Sequence, residues 1–381
     1  MKSRLHVKTE SFEKVFHGDV IPKRERVELT LQHKAVDRIA LHEQLSYNAG
    51  VIELYTGKKI DGFNYTVEDI GEVVRKTMDI HFPLFAPKGT AREIDEDGFT
   101  IQHDNWTSWY ANRPFSDVAG ACRWLKKKTG QLHNALITFN PDTTRREYRK
   151  NFMDMQHLMG ETVLFEWSFT GFCDVFTLMG LELYSYFSLD FPDVLTEFIE
   201  ISTEHELKRI HAVADKNLSP VILIPEDFAT RQGPIFSPEF LKRHHFPYVQ
   251  KLTEAWHSYD IKVIYHSDGN YRKVIPDLIA CGVDGFYCLE PNCGMDIVEL
   301  KNAWPKIVWA GGVDGVDLME LGSPDDVRKE VQRHITETNA LKTGGMFLAT
   351  SSEINPSIKP ENFKAMVDAA GELINKDFQN N

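Results

Sequence analysis

The stretch IKVIYHSDGNYRKVIPDLIACGVDGFYCLE, residues 261–290, decides the fold. An apolar run rich in Val, Ile and Tyr ends in a histidine and a turn-forming SDGN, and a second run, DGFYCLE (284–290), follows after a helical stretch. Continuous apolar runs mark strands buried on both faces, and the helices between them are the crossovers that parallel pairing requires. Outward from this unit the rhythm recurs in DRIALHE (37–43), ALITF (135–139), TVLFEW (162–167), PVILIPE (220–226), KIVWAGG (306–312) and GGMFLATS (344–351). Eight such runs predict a closed (β/α)8 barrel, a TIM barrel of the α/β class, over an open sheet.

The expected organisation is one barrel domain over residues 1–381. A helical N-terminal extension over 1–36 contains the basic helix PKRERVELTLQHK. An insertion over 90–115 falls outside the barrel rhythm, because DEDG and the alternation FTIQHDNW predict a hairpin. Ser237-Pro238-Glu239 starts a helix, with a capping serine and proline at the first helical position. No Ser/Gly/Pro-rich linker or low-complexity tract divides the chain.

With 43 Lys+Arg against 56 Asp+Glu the formal charge is −13, which argues against nucleic acid or an anionic membrane as the partner. No apolar segment reaches the roughly 18 residues of a membrane helix. The N-terminus MKSRLHVKTESFEKVF lacks the apolar core of a secretory signal, so a cytoplasmic location is expected. Five cysteines without a CxxC pair fit reduced thiols.

Chemistry in such a barrel sits at the C-terminal ends of the strands. These ends offer Glu43, Glu166, Glu226, Asp227, His266, Asp268, Glu290, Asp314, Ser352 and Glu353. A single carboxylate there is most often a cap, but many acids converging with one histidine suit proton transfer or a metal. His266 is expected to act in catalysis with Asp227 and Asp268, as a general acid, hydrogen-bond donor or metal ligand. Glu166, Glu226, Glu290, Asp314, Ser352 and Glu353 are expected around the substrate. GGVDG (311–315) lacks the lysine and spacing of a phosphate loop, and its paired glycines fit backbone positions closed to larger residues. No GxSxG or HExxH motif supports a serine hydrolase or zincin. Trp106 and Trp109, in the insertion, are expected at the rim of the mouth.

PKRERVELTLQHKAVDRIA (22–40), EDFATRQGPIFSPEF (226–240), IYHSDGN (264–270), GVDGFYCLEPNCGMD (282–296), WAGGVD (309–314) and GGMFLATSSEINPSIKPENFKAMVDAA (344–370) resemble, in order, the uroporphyrinogen decarboxylase superfamily. More narrowly they resemble its corrinoid-dependent methyltransferase branch. The resemblance implies a (β/α)8 barrel that moves a methyl group to or from the cobalt of a corrinoid. Decarboxylase members carry an RQAGRY-like motif whose arginines hold the tetrapyrrole carboxylates, whereas this chain has LHEQLSYNAG (41–50). The acidic strand ends also suit such a polycarboxylate poorly.

Thiol-methylating members hold zinc through a His-x-Cys pair and a later Cys. His266 matches the histidine, but Asp268 and Ser352 stand at the cysteine positions, so a tightly held zinc of the thiol-activating type is not expected. An oxygen-rich site of His266 with Asp or Glu stays open. The remaining reading is transfer of a methyl from an aryl methyl ether to Co(I) of cobalamin, carried by a separate corrinoid protein because no DxHxxG-type motif occurs in the chain. A quaternary amine or betaine donor, a decarboxylase-type lyase and a non-catalytic corrinoid- or tetrapyrrole-binding barrel are the alternatives. Homodimer formation is left open by the sequence.

Overall fold

The apolar runs become eight parallel strands: β1 (Ala40–Glu43), β2 (Ile80–His81), β3 (Val163–Leu164), β4 (Val221–Pro225), β5 (Lys262–His266), β6 (Gly285–Tyr287), β7 (Val308–Val313) and β8 (Met346–Thr350). They come from a computed structural model that describes residues 12–378. The strands lie in the order β3-β2-β1-β8-β7-β6-β5-β4. The ring closes between β3 and β4, where Leu223 N–H donates to Glu166 O at 3.0 Å and Ser168 N–H donates to Leu223 O at 2.8 Å. The fold is the expected (β/α)8 barrel.

Seven of the eight runs supply barrel strands, and ALITF does not. It is the tail of a 21-residue helix, Val118–Thr138, started by the Asp117 side chain accepting from Gly120 N–H. Leu136 is buried there, while Ile137 faces solvent. The missing strand is β2, only two residues long and set between Asp79 and Phe82-Pro83.

Residues 1–11 of the expected N-terminal extension lie outside the described residues. Between 12 and 36 the α-helix is Lys23–Leu31. Its Val27 and Leu31 pack among lumen residues such as Ala40, Ile80 and Val308. The insertion is a three-stranded antiparallel sheet, Thr90–Ile94, Thr100–Asp104 and Thr107–Asn112, one strand more than the expected hairpin. Ser237 caps the helix Pro238–His244 as its sequence predicts. Among the described residues no helix is long and apolar enough to cross a membrane.

Below the strands, five charged groups are buried together. Arg26 Nη1 donates to Asp79 Oδ1 at 2.8 Å and its Nε to Asp37 Oδ1 at 2.7 Å. Arg38 Nη1 donates to Asp79 Oδ2 at 2.6 Å and its Nε to Asp19 Oδ1 at 2.7 Å. Asp79 also accepts the Leu41 N–H at 2.8 Å, which ties the network to β1. Burial opposes ionisation of Asp79, but Arg38 and Arg26 outweigh it and hold the acid near 2. At the other end of β1, buried Glu43 accepts from Thr350 N–H at 2.6 Å and Thr350 Oγ1 at 2.8 Å, locking β1 to β8. Burial pushes Glu43 up to about 8, against these bonds.

Two stability measurements follow. Asp79→Asn leaves two guanidiniums short of a counter-charge and should cost about 3–5 kcal/mol in denaturant unfolding. Glu43 binds its proton more tightly in the fold than in the unfolded chain, so its contribution is full below its ordinary value near 4.5 and is lost as pH rises through about 8. The difference in melting temperature between wild type and Glu43→Gln should therefore shift steadily against the wild type from pH ~5 to ~8.5.

Candidate active site

Side chains alternate between the lumen and the helical layer along each strand. On β3 and just beyond it Phe165 and Trp167 belong to the lumen, so Glu166 points outward, where Tyr148 and Arg209 face it. On β5 Ile264 is a lumen residue and Tyr265 packs outward, so His266 returns to the lumen at the mouth. Tyr287 of β6 is its paired neighbour.

His266 is the centre of a polar cluster. Its Nδ1 lies 3.2 Å from Asp227 Oδ1 and its Nε2 lies 3.9 Å from Asp268 Oδ1. The Nδ1 contact falls outside hydrogen-bond geometry, which leaves it an ion-pair contact. Burial alone would lower the His266 pKa, yet Asp227 and then Asp268 raise it above its ordinary value. Asp227 is held below the carboxylate range because His266 and the Asp268 N–H outweigh partial burial. Asp268 moves up to about 6 through partial burial and the charges of Asp227 and Glu290, against His266. Water still reaches 58% of its side chain, which screens that effect.

Cys288 is not among the site residues expected from sequence. A ligand atom of Cys288 lies with those of His266 and Asp268 so that all three are within 4.8 Å of one another. Burial, followed by Asp268 and Glu290, raises this thiol well above its ordinary value. Its Sγ–H donates to Ser351 O. The donor set, one nitrogen, one oxygen and one sulfur, fits zinc. Ser352, expected at the later cysteine position, is elsewhere engaged, its Oγ donating to Glu353 Oε2 at 2.8 Å.

Glu290 braces the turn after β5, accepting from Gly269 N–H at 3.0 Å and from the Cys293 thiol at 2.9 Å. Gly269 is required there: its φ is +75° and a Cβ would meet Thr230 O at 2.7 Å. Glu226 is sealed beneath the loop after β3, accepting from Thr170 and Cys173 N–H, and burial pushes it up to about 7. Asp314 caps the helical turn Gly315–Glu320 through Val316 and Asp317 N–H. Glu166, Glu226 and Asp314, expected around the substrate, are thus assigned to the scaffold by their contacts.

Across the mouth, a cleft of ≈ 310 Å³ opens above β1, β2, β3 and β8. Its walls include Tyr47, Phe82, Phe85, Trp106 and Trp167, with Glu353 as its carboxylate. Trp167 stacks on Phe82 at 5.9 Å and on Phe85 at 5.6 Å, and Tyr47 lies 6.4 Å from Trp106. The floor continues from Phe82 to Tyr287 at 5.9 Å and from Tyr287 to His266 at 5.2 Å. Of the rim residues expected from sequence, Trp106 lines this cleft, whereas Trp109 lies on the exposed sheet and does not line it. His266, Asp227 and Glu290, expected to line the same pocket, stand one ring beyond its wall. His81 is neutral, pushed down to about 4 by burial, and accepts from Leu45 N–H at 3.0 Å.

Thirty-nine solved chains resemble the fold. One, a methyltransferase from Methanosarcina mazei, superposes with a TM-score of 0.61 at 15% identity, over 92% of this chain and 98% of its own. No curated protein matches by sequence. Residues 176–373 match the family described as Uroporphyrinogen decarboxylase (URO-D), a span from the helices after β3 through β8 and its helix. That span holds every residue of the His266 cluster, and the chain belongs to the uroporphyrinogen decarboxylase family.

Proposed function

We propose that the protein is a methyltransferase that takes a methyl group from a methoxylated aromatic compound and gives it to the Co(I) of cobalamin on a separate corrinoid protein. One observation carries this reading: an aromatic-walled cleft and the His266–Asp227 pair share one barrel mouth, joined by Phe82 and Tyr287. The likeness to a methanogen methyltransferase supports the chemistry. The acids Asp227, Asp268, Glu290 and Glu353 weigh against a decarboxylase that binds a polycarboxylate.

Co(I) is the nucleophile, so the protein's task is to place the methyl carbon and make the oxygen a leaving group. The arene stacks between the Trp106 side and the Trp167–Phe82 side of the cleft, with its ether oxygen toward His266. In-line displacement requires the methyl carbon to come within roughly 3–3.5 Å of the nucleophile. As the carbon–oxygen bond breaks, its electron pair stays on oxygen, which takes the Nε2 proton of the His266 imidazolium; Asp227, on the Nδ1 edge, favours the charged ring beforehand. The products are a phenol and methylated corrinoid. Exposed apolar residues around the mouth, Phe85, Trp106, Phe169 and Val316, form a rim for the transient corrinoid partner.

A quaternary ammonium donor is the second reading, favoured by the aromatic walls around Glu353. The deciding assay follows methylation of a Co(I) corrinoid protein by visible absorption, first with guaiacol and then with glycine betaine. Guaiacol turnover is expected; turnover with betaine alone refutes the ether reading, and turnover with neither favours the non-catalytic alternative. His266→Ala should slow guaiacol turnover roughly a hundredfold or more. In chelator-treated protein the rate should fall as pH rises through the raised His266 value, and Asp227→Asn should move that fall to lower pH.

A further inference from the structure

The geometry points to a divalent-metal site of the zinc type at His266, Asp268 and Cys288, in which Cys288 supplies the sulfur that positions 268 and 352 do not. The inference concerns these side chains alone and stands apart from the identity of any methyl donor.

The three groups come from adjacent parts of the barrel. His266 pairs with Tyr287 across β5 and β6, so Cys288, the next residue, emerges beside the turn that carries Asp268. Their ligand atoms already lie within 4.8 Å of one another, the only such group of three among the described residues. The His266 Nε2 to Asp268 Oδ1 separation is 3.9 Å. Two ligands at zinc–nitrogen and zinc–oxygen lengths of ~2.0 Å in a tetrahedron lie about 3.3 Å apart. Closing that gap needs only a small turn of Asp268, whose side chain is mostly exposed.

A second observation is the carboxylate on the opposite edge of the imidazole. Asp227 Oδ1 sits 3.2 Å from Nδ1, so the proton is drawn to that side and the Nε2 lone pair is left facing Asp268. Metal-bound histidines are oriented in this way by an outer carboxylate. Glu290 is occupied by Gly269 N–H and the Cys293 thiol and is not a ligand.

Binding displaces the Cys288 thiol proton, now donated to Ser351 O, and the Nε2 proton of His266 when the ring is charged; both go to solvent. Three protein ligands leave a fourth position, and it faces the mouth because Asp268 is exposed and His266 half-buried there, while Cys288 lies beneath them. An ion there would supply Lewis-acid polarisation of a bound oxygen in place of the His266 proton.

The test is metal titration of the chelator-treated full chain with Co(II) under argon, read by absorption. One equivalent should bind with a thiolate-to-cobalt charge-transfer band in the near ultraviolet. Cys288→Ser should abolish the band and weaken binding at least tenfold, Cys293→Ser should leave both unchanged, and Asp227→Asn should weaken binding roughly 10–100-fold. X-ray absorption of the wild-type zinc form decides the matter if Cys288→Ser does not fold: one sulfur at about 2.3 Å is expected. Less than one ion per wild-type chain, a charge-transfer band that survives Cys288→Ser, or a zinc shell of nitrogen and oxygen alone overturns the inference.

Discussion

The strict alternation of side chains in a closed parallel barrel is the constraint on which the rest of this structure depends. Once Leu223 hydrogen bonds across to Glu166 and Ser168, no strand can slip by one residue without turning its whole lumen set outward. The closure thereby sorts the strand-end acids into two populations. Glu43, Glu166 and Glu226 point between strands and helices, where each is spent on a neighbouring backbone or side chain. His266, Tyr287 and Trp167 point inward and upward, where a substrate would arrive.

This sorting also lowers the negative charge of the mouth. Glu43, pushed up to about 8 by burial, is largely neutral near pH 7, Glu226, pushed up to about 7, is about half protonated there, and both lie behind the lumen wall. Asp227 stays ionised because the His266 ring faces it. The local field around His266 is therefore set by Asp227, Asp268 and Glu290, and it favours a cation at the imidazole, whether a proton or a metal ion.

Much of this was legible in the sequence. Apolar runs located seven strands because Val, Ile, Leu and Phe dominate segments buried on both faces. β2 escaped because it is two residues long and one of them is a histidine, and ALITF misled because an apolar, β-branched run at a helix end has no periodicity of its own. At the site, His266, Asp227 and Asp268 stood out as strand-end polar residues and do converge. The roles of Glu166 and Glu226 were misread because a list of strand ends ignores parity, although Phe165-Glu166-Trp167 carries the correction in its own alternation. Cys288 had no signal of its own: its meeting with Asp268, twenty positions away, is a product of the β5–β6 register.

The cleft and the His266 cluster occupy opposite halves of the same mouth, with Tyr287 between them. That separation has a mechanistic use. A site that both grips an arene and activates its oxygen must keep the aromatic walls dry while giving the polar groups access to protons or ions. Placing aromatic side chains over β1–β3, and the His266 cluster over β4–β6, meets both demands and leaves Glu353, which accepts from Ser352, as the one carboxylate of the apolar half. The methyl carbon would then lie near the barrel axis, above Tyr287, the point on this face that a wide planar acceptor can approach without displacing either wall.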